Sequence, residues 1–372
     1  MRSIENTPRF IIAGGGTGGH LFPGIAVAEE IRVRIPGAVT VFIISHRPME
    51  AEILARHGEA TRSIDIEGLQ GRGWRRKFSS AAMVPRSILQ CRAILTECQP
   101  TAVIGMGGYS AGPACLAARW MGIPTAIHEQ NSFPGLTNRW LSRVVDRVYI
   151  SFEESRPYLK GDRIVLTGNP VRKEILAVRG KEPAAGSPFT LLVVGGSQGA
   201  KAINEVMIPA VASLVQNGRA FRIIHQTGKD DFESVQRGYR AHGVPAEVFP
   251  FIDDMAGAYA EAHLVIGRAG ATTVFELAAA GKPSVLVPYP YAANNHQESN
   301  ALSLVHAGGA LMIRQSELTG GKLAGVISDL AAHPERLDEM RRNVALLSRP
   351  DAAAAIVNGI LQCAEERGSL RS

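Results

Sequence analysis

Short apolar runs and longer amphipathic segments take turns along this chain, break off once, and begin again. RFIIAG (9–14), VTVFIIS (39–45), AVIGMG (102–107), PTAIHEQ (124–130) and RVYISF (147–152) read as buried strands, and 23–34, 48–57, 79–98, 112–121 and 134–143 as the helices between them. Strands that alternate with helices pair in parallel, because a crossover helix must carry the chain back to the same end of the sheet. The pattern lapses in LTGNPVRKEIL (166–176) and in the Gly/Pro/Ala-rich AVRGKEPAAGSP (177–188), then resumes with FTLLVVGG, FRIIHQTG, AEVFPFI, HLVIGRAG and KPSVLVPYP. A chain of 372 residues exceeds one ordinary core. The expectation is therefore two doubly wound α/β domains facing a cleft: 1–168, a linker over 169–188, and 189–350. The helical stretch 351–367 is free to pack on either half, the N-terminal one among them.

The net charge of +6 and a pI near 9.3 favour an anionic partner without choosing between nucleic acid, a phosphorylated metabolite and a lipid surface. Cys91, Cys98, Cys115 and Cys363 form no C-x-x-C pair, which speaks against a zinc site or a disulfide scaffold and fits a reducing compartment. The opening MRSIENTPRF lacks the apolar core of a signal peptide, and no run of about 18 uncharged apolar residues is present, so a cytoplasmic protein is expected.

Both halves open with a strand and a glycine loop. Gly14–Gly19 formally satisfies G-x-G-x-x-G, which taken alone predicts a dinucleotide. That reading also wants an acid at the end of the second strand; here Ser45-His46-Arg47 stands there, which leaves an NADP-dependent oxidoreductase as an alternative. Further glycine loops at 105–112 and 195–205 suggest backbone N–H groups gripping phosphates or sugars, with close packing as the plainer explanation. Ser197 in the third loop is either a ligand contact or a helix cap.

The densest signal is GRAGATTVFELAAAGKPSVLVPYP (267–290). A strand ends beside Arg268, and a hydroxyl-rich turn opens a helix carrying Glu276, which can accept two ribose hydroxyls or merely stabilise the helix start. NNHQESNA (294–301) offers amides to sugar hydroxyls. HEQNSFPGLTNR (128–139) gathers His128, Glu129, Gln130, Asn131, Asn138 and Arg139; with His20 and Tyr109 they form an acid/base set. Asp65-Ile66-Glu67 reads as surface charge and Asp253-Asp254 as a helix start. No metal and no cofactor are expected. The segment 68–89 interleaves Trp74 and Phe78 with Arg72, Arg75, Arg76 and Lys77, as a headgroup-level membrane contact would; no nucleic-acid motif accompanies it.

Together GGGTGGHLFPGIAVA, GMGGYSAGPACLAA, HEQNSFPGLTNR, LTGNPVR, GGSQGAKAIN, FIDDM and GRAGATTVFELAAAGKPSVLVPYPYAANNHQESNA resemble the MurG family of N-acetylglucosaminyltransferases, in order from about residue 9 to beyond 310. The resemblance implies a GT-B fold and transfer of N-acetylglucosamine from UDP-N-acetylglucosamine to lipid I, giving lipid II for peptidoglycan. It implies work at the cytoplasmic face of an anionic inner membrane, other cell-wall synthesis proteins as partners, and no nucleic acid. Carried across motif by motif, it places Thr17, Gly18, Gly19, Asn131, Arg172, Ser197, Ile252 (by its backbone, facing the uracil), Ala271, Thr272, Thr273, Val274, Phe275, Glu276 and Gln297 against the donor, with His296 competing for the role of Gln297. Arg268 is then the charge partner of the diphosphate. Tyr109, His128 and Asn138 go to the acceptor side. Trp74, Arg75, Arg76, Lys77 and Phe78 go to the membrane.

Inverting transfer needs a base for the attacking hydroxyl and a place for charge on departing UDP. His20 is the first candidate base, against helix capping or an acceptor contact as its plainer roles. Glu129 is the second, or the group that orients His20 or His128. A UDP-N-acetylglucosamine-binding GT-B relative such as an epimerase is the other alternative.

Overall fold

The computed structural model describes residues 7–66, 74–184, 186–196, 198–216 and 220–369, and their side chains apart from those of 74–82 and 293. It divides into two units, residues 1–172 with 351–372, and 173–350.

In the first unit seven parallel strands lie in the order β3-β2-β1-β4-β5-β6-β7. They are β1 (Arg9–Ala13), β2 (Val39–Ile44), β3 (Ala60–Ser63), β4 (Ala102–Gly105), β5 (Thr125–Glu129), β6 (Arg147–Ile150) and β7 (Ile164–Leu166). The crossovers are α1 (Gly18–Arg34), α2 (Pro48–Arg56), α3 (Trp74–Cys98), α4 (Ala111–Trp120) and α5 (Leu136–Leu141). Phe10, Ile12 and Ile104 face one layer of helices while Ile11, Val103 and Ile127 face the other, so the central strands are apolar on both faces.

Helix α1 begins five residues before the expected start at 23. A proline near a helix start reads as its first residue, but Pro23 lies inside α1 and is buried, and the glycine loop itself forms the first turn.

The second unit repeats the order with six parallel strands, β10-β9-β8-β11-β12-β13. These are β8 (Phe189–Val194), β9 (Phe221–Gln226), β10 (Ala246–Phe249), β11 (Leu264–Gly267), β12 (Ser284–Leu286) and β13 (Ala310–Met312). Around them run α6 (Lys173–Leu176), α7 (Lys201–Gln216), α8 (Phe232–Ala241), α9 (Met255–Glu261), α10 (Ala271–Ala280), α11 (His296–His306), α12 (Gly320–Ala332) and α13 (Pro334–Ala345). The stretch read as a linker is ordered where it meets this unit: α6 packs on α9 and α10 and buries Ile175, while Val178 is buried just beyond it. Four residues of helix are too short to show a periodicity. As expected, Asp254 caps α9, its carboxylate accepting from Gly257 N at 2.8 Å.

The last helix, α14 (Ala352–Glu366), packs along α1 and completes the first unit's core with Ile356, Val357, Ile360 and Cys363. Glu366 accepts from Arg147 at 3.1 Å and from Arg163 at 2.9 Å, tying the helix end to the β6–β7 edge. Each isoleucine buried there contributes about 1.5–3 kcal/mol. The four cysteines are buried thiols; burial pushes Cys91 and Cys115 up to about 12, so they pack as apolar groups and stay unreactive.

Candidate functional site

In a doubly wound sheet, ligands bind beyond the carboxyl ends of the strands where the order reverses. In the first unit that point lies between β1 and β4, and the loops leaving those strands are Gly14–Thr17 and Met106–Ser110. They interlock. Gly108 has φ +76°, and a Cβ there would sit 2.3 Å from Gly15 O, so only glycine fits. Beneath the first loop lies Glu50, fully buried, accepting from Gly16 N at 2.5 Å, Ser45 N at 2.9 Å and Ser45 Oγ at 3.0 Å. A Cβ on Gly15 would meet its Oε2 at 2.6 Å. The close approach that these glycines permit is thus to a protein carboxylate. The dinucleotide reading fails here, because the Gly16 N–H that a pyrophosphate would use already donates to an acid, and Arg47 donates to Gly16 O at 3.0 Å.

His20 stands half-buried in the first turn of α1, its Nδ1 3.0 Å from Gln130 Oε1. Gln130 is buried and donates through Nε2 to Met106 O at 2.8 Å and to His128 Nδ1 at 3.1 Å, with His128 O at 3.4 Å. His128 Nε2 lies 3.1 Å from Gly168 O and 3.3 Å from Ser151 Oγ. Burial pushes His128 down to about 4, opposed by the Gly168 bond, so the ring is neutral near pH 7.

Glu129 does not fit either role expected of it. It is buried, and its carboxylate accepts from Asn131 N at 3.0 Å, Asn131 Nδ2 at 3.4 Å, Gly135 N at 3.2 Å and Asn138 Nδ2 at 2.8 Å. Burial raises its pKa while those donors oppose the shift. It braces its own loop, and the residue bonded to both His20 and His128 is Gln130. His128 and Asn138 are likewise inside the protein, at 0% and 3% exposure, so neither presents a surface to an acceptor. Tyr109 does. It is half-buried and lines a cavity of about 430 Å³ with Gly15, Gly16, Ser110, Arg47 and Arg86. Ser110 Oγ is buried there with no hydrogen-bond partner among the described residues.

Asp65, expected as loose surface charge, also lines the cavity. Its carboxylate accepts from Gln90 Nε2 at 2.8 Å, and it pairs with His46 Nε2 and Arg86, each at 2.9 Å. The Gln90 bond foremost holds its pKa below the usual range. Thr17 is exposed at the N-cap of α1, with Gly18 buried and Gly19 half-buried behind it. The Arg172 guanidinium stacks on Phe22, 4.3 Å from the ring centre and two residues beyond His20 on α1.

In the second unit the order reverses between β8 and β11. Ser197, in the loop after β8, lies outside the described residues. Helix α10 leaves β11 through Arg268-Ala269-Gly270 and opens on Gly270, which has no side chain to cap the first amides. Thr272 and Thr273 are half-exposed; Val274 and Phe275 turn into the core, and Val274 N donates to Gly270 O at 3.0 Å. What this helix start leaves toward solvent is therefore Thr272 and Thr273, with Ala271 buried behind them.

Glu276 sits in the second turn, past the reach of a capping box or the helix dipole at the first turn. It is buried, and its Oε2 accepts from the Tyr259 hydroxyl at 3.2 Å. Arg268 is more tied than expected. Nη1 donates to Val287 O at 3.0 Å and Pro288 O at 3.2 Å, Nη2 donates to Gln315 Oε1 at 2.7 Å, and the guanidinium packs on Tyr289. Burial lowers its pKa. Ile252 N donates to Gln226 Oε1 at 2.8 Å, so its amide is already engaged within the protein. Gln297 Oε1 accepts from Tyr289 N at 2.9 Å. Just before α11, Asn294 and Asn295 both take left-handed conformations, φ +51° and +55°, which asparagine adopts more readily than most residues with a Cβ.

Among the described residues no group of three His, Cys, Asp or Glu could hold a metal ion, and no helix is long and apolar enough to cross a membrane. Trp74, Arg75, Arg76, Lys77 and Phe78 open α3, but their side chains lie outside the described residues.

Comparison with known proteins matches residues 10–150 to the glycosyltransferase family 28 N-terminal domain and residues 190–356 to the glycosyltransferase family 28 C-terminal domain. The UDP-N-acetylglucosamine--N-acetylmuramyl-(pentapeptide) pyrophosphoryl-undecaprenol N-acetylglucosamine transferase of Myxococcus xanthus is 45% identical over 350 residues, 94% of this chain and 91% of that protein. The crystal structure of Acinetobacter baumannii MurG superposes with a TM-score of 0.75 at 35% identity, covering 95% of this chain and 99% of that one. A UDP-GlcNAc 2-epimerase from Neisseria meningitidis, bound to UDP-GlcNAc, gives a TM-score of 0.65 at 14% identity over 95% and 100% of the two chains, a likeness of fold alone.

Proposed function

The chain belongs to glycosyltransferase family 28, and from that premise we propose that His20 is the base and Glu276 the ribose anchor of the sugar transfer it performs. The chain is an N-acetylglucosaminyltransferase that converts lipid I to lipid II in peptidoglycan synthesis. The C4 hydroxyl of the muramoyl sugar bonds to C1 of the donor sugar as the C1–O bond to UDP breaks. The hydroxyl proton passes to His20, and the bonding electron pair leaves on the diphosphate. Attack opposite the leaving group turns the α-linked donor into a β1→4 product.

His20's position carries the assignment: it is half-buried beside the reversal point of the first sheet, with Nδ1 held by a buried amide. On the donor side, the start of α10, where Gly270 contributes no capping side chain, suits the diphosphate's charge. Glu276, buried and bonded to Tyr259, suits a pair of vicinal hydroxyls. The cavity beside Tyr109, with Arg47 and Arg86 at its wall, suits the anionic acceptor.

The membrane approach belongs to the first unit. Helices α3, α4 and α5 pack side by side there and expose Leu89, Trp120, Leu136 and Trp140 near Arg119, Arg139 and Arg143, a combination fit for anionic headgroups.

The test is steady-state transfer with two folded variants. His20→Ala is expected to lower kcat by about 10²–10⁴-fold with the KM for UDP-N-acetylglucosamine little changed, and Glu276→Ala to raise that KM. Near-normal turnover in His20→Ala, or an unchanged KM in Glu276→Ala, contradicts the role concerned, and an unfolded variant returns its residue to a structural one.

A further inference from the structure

The hydrogen bonds around His20 can be followed inward to two groups that only accept, the carbonyls of Gly168 and Met106. Because Gly168 O only accepts, His128 Nε2, 3.1 Å away, carries a hydrogen. The ring is neutral, so its Nδ1 holds a lone pair, and Gln130 Nε2 donates to it at 3.1 Å. The second amide hydrogen goes to Met106 O at 2.8 Å. Both donors of Gln130 thus face inward, and the atom it turns toward His20 is its oxygen, 3.0 Å from Nδ1. An amide oxygen only accepts, so His20 Nδ1 carries the hydrogen and the lone pair of the neutral ring lies on Nε2, the corner away from Gln130.

We propose that Gln130 and His128 are positioning residues that set the tautomer of His20, so that Nε2 is the atom that takes the acceptor proton. This rests on His20 being the base. A free histidine side chain prefers the opposite tautomer, which would leave the lone pair on Nδ1, turned into the protein. The same Nδ1–H···O bond persists after Nε2 is protonated, so nothing around the ring must turn over during transfer. The ring lies against the backbone of Gly107, where a Cβ would come within 2.9 Å of His20 Nδ1, so the glycine is what leaves room for this arrangement.

The experiment is ¹⁵N-histidine NMR of the full-length protein at alkaline pH, with the His20 signals assigned by their loss in His20→Asn. In the wild type His20 is expected with a protonated Nδ1 and a bare Nε2. Gln130→Met, close in volume but without acceptor or donor, is expected to shift His20 toward the Nε2–H form and lower kcat roughly tenfold or more at unchanged donor KM. Gln130→Glu, which still offers an oxygen to Nδ1–H, is expected to keep the wild-type tautomer and recover part of kcat. A wild-type His20 protonated on Nε2, or a tautomer unmoved by Gln130→Met, overturns the proposal. Loss of transfer in His20→Ala with either of those results leaves the base standing and removes the relay. Normal transfer in His20→Ala removes the base itself.

Discussion

His128 and His225 are the two histidines that the fold buries most completely, and both must stay neutral to remain there. Burial pushes His128 down to about 4 and His225 to about 3, from an ordinary value of 6.5. Each is held by partners suited to a neutral ring, Gln130 and Gly168 for the first, Tyr239 and Asn204 for the second. The unfolded chain binds protons at these positions below about pH 6.5 while the folded chain does not, so folding stability falls as pH drops from about 6.5 toward 4. Thermal midpoints measured across that window are expected to decline with pH. A flat profile would mean that the two rings are not buried as described.

At this scale the sequence showed where chemistry lies better than which atom performs it. The loop 128–139 stood out for its polar density, yet Glu129 looked like the reactive member and proved to be the brace. Gln130 carries no charge to attract notice, and its meaning depends on His20, 110 residues away. Glu50 was invisible for the same reason, since nothing in its own neighbourhood signals that it sits beneath a glycine loop.

At the level of elements, periodicity located most strands to within a residue or two, because fully buried parallel strands are apolar throughout. Helix starts were less legible: α1 begins in glycines, which carry no helical preference, and α6 is too short for any period. The order of strands cannot be read from periodicity at all, and it is the order that puts the β1 and β4 loops side by side. Exposure was also hidden. Trp120 and Trp140 lie in helical stretches that also carry core residues such as Ala117 and Leu141, and only the packed structure shows the two tryptophans at 72% and 51% exposure. They supply a membrane prediction independent of 74–78. Binding of the intact protein to vesicles containing anionic lipid is expected to weaken in Trp120→Ser/Trp140→Ser, and again when Arg75, Arg76 and Lys77 are neutralised. Undiminished binding in both would return these surfaces to plain solvent contact.

Taken whole, the molecule is two parallel sheets with one winding scheme, each placing a glycine loop and a helix start at its own point of reversal. The first unit is not continuous in sequence: residues 351–372 return to it, and α14 supplies part of its core. A net charge of +6 fits a diphosphate-linked donor and an anionic acceptor surface alike. The family establishes the transfer, and the site roles stand or fall with the product it makes. The most direct measurement is therefore the fate of labelled N-acetylglucosamine when the protein is given the UDP sugar and a lipid I analogue. The expected result is label in the lipid product through a β1→4 bond, in the wild type and not in His20→Ala. Donor that is bound, epimerised or hydrolysed without label reaching the lipid would contradict it.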